Sequence, residues 1–230
     1  MKLRVVTYNI RNGHDVHHDM SLLAADILSV GADVVGLQEL DVCTSRVHGR
    51  DTLSELAKAL GWEHYAFCRA IDFAGGGYGT AILSRFPIIS FEQMHFDVPA
   101  PREGRAVGHA VIDAHGERVD FFNTHLSYES DELRAGQFAA LADLVARTPA
   151  WVLTGDFNTA NLACFDIFTG ACLANPGKYP TFPASDEGID NIVCNAPWRI
   201  TDTGILQPSH SDHLLLWAEL AKQHDERSTQ

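Results

Sequence analysis

The chain is short of positive charge. Its 17 lysines and arginines stand against 30 acidic residues in 230, for a formal net charge of −13. A protein that grips a long polyanion needs clustered Lys and Arg to displace counterions, and no basic run or basic arm is present. The sequence is also poor in cysteine. The five residues at 43, 68, 164, 172 and 194 are odd in number and widely spaced, with no C-x-x-C, which excludes a disulfide framework and a zinc knuckle. Free thiols in a reducing compartment are the expectation, and the cytoplasm is the default location. No apolar run nears the roughly 18 residues of a membrane span. The opening Met1-Lys2-Leu3-Arg4-Val5-Val6 is polar again by Thr7, so no signal peptide is expected. Neither H-E-x-x-H nor the phosphate-binding G-x-x-x-x-G-K-[ST] occurs. With 46 % hydrophobic residues the chain is not disordered, and one sizeable core is expected.

What is present alternates between short β-type runs and helical stretches. Strands are expected over Leu3–Asn9, Asp33–Gln38, Trp151–Thr154, Ile189–Cys194, Trp198–Thr203 and Leu214–Leu220. Tyr78–Ser84 and Ile88–Phe96 look like a strand pair split by Arg85-Phe86-Pro87. Arg105–Asp113 and Arg118–Asn123 flank His115-Gly116-Glu117 as a hairpin. Helices are expected over Leu22–Val30, with Asp19 or Ser21 as cap, over Thr52–Leu60, stopped by Gly61, and over Asp131–Ala146. Residues 157–188 are loop-rich. Interleaved strands and helices with no repeat or linker imply one mixed α/β domain over residues 1–221, with a polar tail over 222–230. A monomer is the default.

Polar residues recur where these apolar runs end. Asn9, Glu39, Asn123, His125, Asp156 and Asn158 follow strands, Asp190 opens one, and Asp212-His213 precedes the last. Strand ends gather into a cleft when sheets pack, so a set of such residues implies convergence. Glu39, helped by Asn9 and Asp212, offers oxygen ligands for a hard cation such as Mg²⁺ or Mn²⁺. His213 and Asp190 can form an imidazole oriented by a carboxylate. Asp156 can hold a water and Asn158 can bond a phosphoryl oxygen. These are the parts for attack of water on a phosphate ester.

The motifs T-Y-N-I (7–10), L-Q-E (37–39), G-T-A-I-L-S-R (79–85), G-R-A-V (104–107), N-T-H-L (123–126), G-D-F-N (155–158), I-D (189–190) and S-D-H (211–213) follow one another along nearly the whole chain. Together they resemble the endonuclease/exonuclease/phosphatase superfamily, which includes deoxyribonucleases, abasic-site endonucleases, inositol polyphosphate 5-phosphatases and sphingomyelinases. The resemblance implies a four-layer α/β/β/α sandwich with two packed mixed, largely antiparallel sheets. It also implies a metal-dependent phosphoric ester hydrolase. Glu39 would be the main metal ligand, with Asn9 close and Asp212 on the metal side. Asp156 would orient or deprotonate the attacking water, and Asn158 would touch the scissile phosphate. His213, supported by Asp190, would act as base or as an electrostatic clamp. His125 would donate to a phosphate oxygen or protonate the leaving group.

The substrate side is more open. Arg105 would be a second positive contact or an ion-pair partner of Glu103. Asn123 would touch substrate or pin the loop carrying His125. Phe182 would wall the cleft or only pack. Thr80 stands where many relatives carry Asn and reaches less far. Gly75-Gly76-Gly77-Tyr78 reads as a flexible turn, with a substrate loop as the alternative, and His14, His17 and His18 as a solvated loop near the cleft mouth. The acidic balance favours a small soluble ester or lipid headgroup over nucleic acid. A nuclease is the alternative, and a non-catalytic binding protein of the same fold is the more distant one.

Overall fold

The computed structural model describes residues 1–222. Two six-stranded sheets pack face to face. The first contains β1 (Lys2–Asn9), β2 (Val34–Val42), β3 (His64–Phe73), β4 (Gly76–Ser84), β11 (Trp198–Leu206) and β12 (Leu215–Lys222), in the order β11-β12-β1-β2-β4-β3. The second contains β5 (Ile88–His95), β6 (Ala106–Ala114), β7 (Glu117–His125), β8 (Trp151–Asp156), β9 (Cys172–Leu173) and β10 (Asp190–Cys194), in the order β5-β6-β7-β8-β10-β9. Each sheet has one parallel pair, β1–β2 and β7–β8, and is otherwise antiparallel.

The near-continuous apolar runs are explained by burial on both faces. Side chains alternate across a strand, so neighbours enter different cores. Val35, Leu83 and Leu215 face α1 (Met20–Ser29) and α2 (Thr52–Leu60) in one core. Val34, Ile82 and Leu216 meet Phe121, Val152 and Ile192 between the sheets. Phe122, Leu153 and Val193 meet Phe138, Leu141 and Val145 of α3 (Asp131–Val145) in a third. Three cores separate four layers, so the α/β/β/α sandwich implied by the motifs is what forms.

Local signals also hold. Asp19 caps α1 by accepting from the Ser21 N–H, and Gly61 ends α2 at φ 70°. His115 and Gly116, both at positive φ, turn the β6–β7 hairpin.

Three expectations change. β4 and β5 are not partners: Arg85-Phe86-Pro87 carries the chain from one sheet to the other. β3 escapes sequence reading because, as an edge strand, it mixes exposed polar and apolar residues. Lys222, placed in a polar tail, closes β12 instead: its N–H donates to Met1 O and its Nζ to Glu117. The rest of that expected tail, 223–230, lies outside the described residues.

The sheets approach closely at Gly36. A Cβ there would lie 2.1 Å from Thr154 Oγ1 and 2.5 Å from Asn123 Oδ1. Only glycine lets β2 reach this polar cluster, which ties the sheets together beneath the strand ends.

Candidate active site

Both parallel pairs send their C-terminal ends to the same edge of the sandwich. The Asn9 side-chain amide at the end of β1 donates to Glu39 Oε1 in the first sheet and to Asp156 Oδ2 in the second, both at 3.0 Å. Asn9 is buried, and its own Oδ1 accepts from the Arg11 N–H at 3.0 Å. As folded, Asn9 links two carboxylates across the sheets.

Glu39 lies where the β2–β4 register slips between Leu37 and Leu40, and its φ is 57°. That bulge turns Glu39 out of the strand alternation toward the edge. A left-handed φ costs a non-glycine residue about 1 kcal/mol, and such strain gathers at functional positions.

In the second sheet, register assembles the site. Asp156 at the end of β8 stands opposite His125 of β7 and opposite Asp190 of β10. Cross-strand partners share a face, so three functional side chains are set side by side. Asn158, at φ 51°, folds back: its N–H donates to Asp156 Oδ1 at 2.9 Å. Its amide nitrogen donates to Leu126 O at 2.9 Å and lies 3.0 Å from His125 Nε2.

His213 arrives on the loop before β12. Its Nδ1 lies 2.9 Å from Asp190 Oδ2 and its Nε2 3.8 Å from Asp156 Oδ2. Phe182 lies against it, ring centroids 4.8 Å apart, as a wall. Thr181 fixes this corner, since its Oγ1 accepts from the Asp190 N–H and its carbonyl from the Leu214 N–H. Ser211 Oγ donates to Asn9 O, and His210 reaches buried Asp26 of α1 through its N–H and its Nδ1, each at 2.8 Å. Tyr8 Oη donates to the same carboxylate at 2.9 Å. The Tyr8–Asp26–His210 anchor was not expected from sequence. Tyr8 lies in the T-Y-N-I motif but Asp26 and His210 lie in none, and only the fold makes the three neighbours.

The protonation states follow from the charges. Burial and the Asp190 carboxylate push Asp156 up to about 7, against the pull of His213, Asn9 and the Asn158 N–H. Burial alone would lower His213, but the Asp190, Asp156 and Asp212 carboxylates outweigh it and raise it to about 10. Burial, Arg105 and His213 hold His125 well below its ordinary value. His213 is therefore an imidazolium at neutral pH and His125 is neutral.

Linkage makes the His213 shift measurable. A histidine raised in the fold adds stability that is complete below about 6.5 and is lost as pH rises through about 10. In EDTA, unfolding free energy is expected to fall by on the order of 3 kcal/mol between pH 7 and pH 9. Urea titrations of His213→Gln should lack that part of the fall. An equal slope in the variant would show that His213 is not held as a cation.

Not every candidate is brought into the cleft. Asn123 is fully buried: its amide donates to Leu37 O and Ala81 O, and its Oδ1 accepts from Gln38 and Thr154. All its hydrogen-bonding capacity holds the sheets together, so substrate contact gives way to a structural role. Asp212 sits at the rim, 3.5 Å from Arg11 Nε, and bonds Ser211. Arg105 is no surface pair: it is buried, with Nη1 2.5 Å from Glu103 Oε1 and 3.3 Å from His125 Nδ1. Thr80 is buried, with its hydroxyl against the Cys68 thiol of β3. Gly76, Gly77 and Tyr78 belong to β4, so only Ala74 and Gly75 form the turn.

The residues fit a divalent cation. The carboxylate oxygens of Asp156 and Asp190 lie with a His213 ring nitrogen within 4.8 Å of one another, and Asp190 Oδ1 is buried with no partner; His213, held as an imidazolium, has no lone pair for a metal, so the carboxylates are the available ligands. Two buried carboxylates share one imidazolium, and Glu39 adds a third negative charge through Asn9. Carboxylate oxygens with this negative excess suit Mg²⁺ or Mn²⁺.

Comparison with known proteins agrees with the geometry. Residues 6–213 match the Endonuclease/Exonuclease/phosphatase family, and the chain belongs to it. Members of that family hydrolyse phosphate esters. The uncharacterized protein YbhP of Escherichia coli K12 is 28 % identical over 169 residues, 67 % of this chain and 66 % of that protein, so the chain spans just under two thirds of this relative. The mannosyl-6-phosphatase Bt3783 of Bacteroides thetaiotaomicron superposes with a TM-score of 0.75 at 19 % identity, over 95 % of this chain and 99 % of that one. TDP2 of D. rerio, bound to a single-strand DNA product, superposes at 0.73 with 17 % identity, over 96 % and 99 %. Among the described residues no helix is long and apolar enough to cross a membrane.

Proposed function

We propose that the protein is a divalent-cation-dependent phosphoesterase acting on a small phosphate ester. The observation that carries this reading is the Asn9 amide joining Glu39 of one sheet to Asp156 of the other, beside the Asp190–His213 pair. A bound Mg²⁺ or Mn²⁺ would neutralise charge on a phosphoryl oxygen and favour a nucleophilic water. Glu39 is the anchor for such a cation, with Asn9 holding its carboxylate in place and Asp212 at the rim. Asp156, whose raised proton affinity suits a base working near neutral pH, accepts the proton of the attacking water. Asn158, His213⁺ and Arg105 face the charge that develops on the phosphoryl oxygens. His125, neutral and beside Asn158, is placed to bond a phosphoryl or leaving-group oxygen. Phe182, against the His213 ring, forms the wall.

The charge of −13 and the likeness to a mannosyl-6-phosphatase both support a compact substrate. Cleavage of nucleic acid is the second reading, supported by the likeness to a DNA-bound TDP2. The five free cysteines suit a reducing compartment such as the cytoplasm.

Purified protein with Mn²⁺ is expected to hydrolyse p-nitrophenyl phosphate or its bis ester, to lose that activity in EDTA, and to regain it on adding Mn²⁺. A rate indifferent to EDTA would overturn the metal reading. Plasmid, single-stranded DNA and RNA, incubated at low salt, are expected to stay intact; their cleavage would favour the nuclease.

A further inference from the structure

Glu39 and Arg105 also line a hollow of about 240 Å³, together with Arg46, Phe73, Tyr78 and Glu103. Its walls are held rigidly. The loop after β2 is tied to the β3–β4 turn by the Ser45 N–H donating to Ala74 O at 2.8 Å. Gly76 packs so closely on it that a Cβ would lie 2.3 Å from Val42 O. Arg46, on that loop, uses Nε and Nη2 to grip the fully buried Asp41 at 2.5 and 2.9 Å. Its guanidinium also lies over Phe73 and Tyr78, 4.7 and 5.3 Å from their ring centroids. The Arg46 Nη1 group makes no hydrogen bond among the described residues. None of these contacts is used by the chemistry assigned above to Asp156, Asp190 and His213.

We propose that this hollow is the subsite for the alcohol portion of the substrate, and that it takes a compact polyhydroxylated group such as a hexose. The inference rests on the phosphoesterase reading and names its substrate class. Three observations support it. The hollow opens on Glu39 and Arg105, so a phosphate at those residues places its ester group here. At about 240 Å³, just under the ~300 Å³ at which pockets for drug-sized ligands begin, it suits a compact group such as a single sugar ring. Both cations inside are already paired, Arg46 with Asp41 and Arg105 with Glu103, so no unbalanced cation awaits a second phosphate. What is left is a mixed set: guanidinium N–H donors, the Glu103 carboxylate as acceptor, and the Phe73 and Tyr78 rings as walls. Adjacent hydroxyls, each both donor and acceptor, fit such a set better than an apolar or polyanionic group does.

The test compares binding and turnover of glucose 6-phosphate, mannose 6-phosphate and phenyl phosphate. By calorimetry, at least one hexose phosphate is expected to bind wild type at least tenfold more tightly than phenyl phosphate. Arg46→Lys keeps a cation for Asp41 but loses the fork, and Phe73→Ala removes an exposed wall. Each is expected to cut the hexose-over-phenyl preference at least fivefold, in binding and in kcat/KM. Equal affinity for the three ligands, or an unchanged preference in both variants, overturns the subsite. Hydrolysis of phenyl phosphate without a hexose preference leaves the phosphoesterase reading standing and removes this one. A hexose preference in binding that depends on Arg46, with no turnover of any ester in Mn²⁺, does the reverse.

Discussion

His213→Ala is expected to lower kcat for phosphate-ester hydrolysis by about 10³-fold or more, with a much smaller change in KM. The imidazole is buried, bonded to Asp190 at 2.9 Å, and 3.8 Å from Asp156. Three carboxylates raise it to about 10 against the effect of burial, so it carries its charge before substrate arrives. A preorganised cation stabilises negative charge that grows in the transition state without reorganising during the reaction, which is why its loss falls on kcat. Asp190→Asn keeps the shape but withdraws the main support of that charge, and a loss of about 10²-fold or more is expected. The pH profile separates the two roles open to His213. If it is a clamp, log kcat declines as pH rises toward 10. If it is a base, log kcat climbs over the same interval. A climbing limb that disappears in His213→Gln would overturn the clamp.

The linear order of the site is plain in the sequence, but its assembly is not. Glu39 and Asp156 could be picked out because each follows an apolar run, and His213 because it immediately precedes one. That Asp156 stands opposite both His125 and Asp190 depends on the register of β7, β8 and β10, and no local pattern encodes register between strands so far apart in the chain. The same gap explains β4 and β5: both runs read as strands, and nothing in either says which sheet receives it. Asn123 shows the limit from the other side. Its motif resembles a substrate contact, yet four partners from β2, β4 and β8 absorb its amide, and only their positions reveal that. Arg46 was invisible for a simpler reason. A lone arginine in a loop looks solvated until Asp41 and two aromatic rings are seen to hold it.

Glu39→Gln should abolish most activity, by about 10³-fold, while leaving the metal-free fold at least as stable as wild type. Glutamine preserves the length of the side chain and an oxygen to accept from the Asn9 amide, now at 3.0 Å from Oε1. It removes one of the charges gathered around Asn9, where Asp156 already resists ionisation until about pH 7. Without a cation that negative excess is a liability, so its removal should not lower the unfolding midpoint. With Mn²⁺ the sign reverses: wild type gains stability with metal concentration as RT ln(1 + [L]/Kd), and the variant gains less at each concentration. Thermal melts across a Mn²⁺ series measure this without any substrate. An activity loss with an undiminished Mn²⁺-induced shift would mean that Glu39 serves the reaction without holding the metal. The ligand duty would then pass to the carboxylates of Asp156 and Asp190, whose oxygens already lie within 4.8 Å of one another. Because Asn9 bonds both Glu39 and Asp156, Asn9→Ala distinguishes these cases further. Its loss frees both carboxylates at once, so it should weaken the Mn²⁺ shift whichever set of residues is the ligand, and weaken it more than Glu39→Gln only if Asp156 shares the metal.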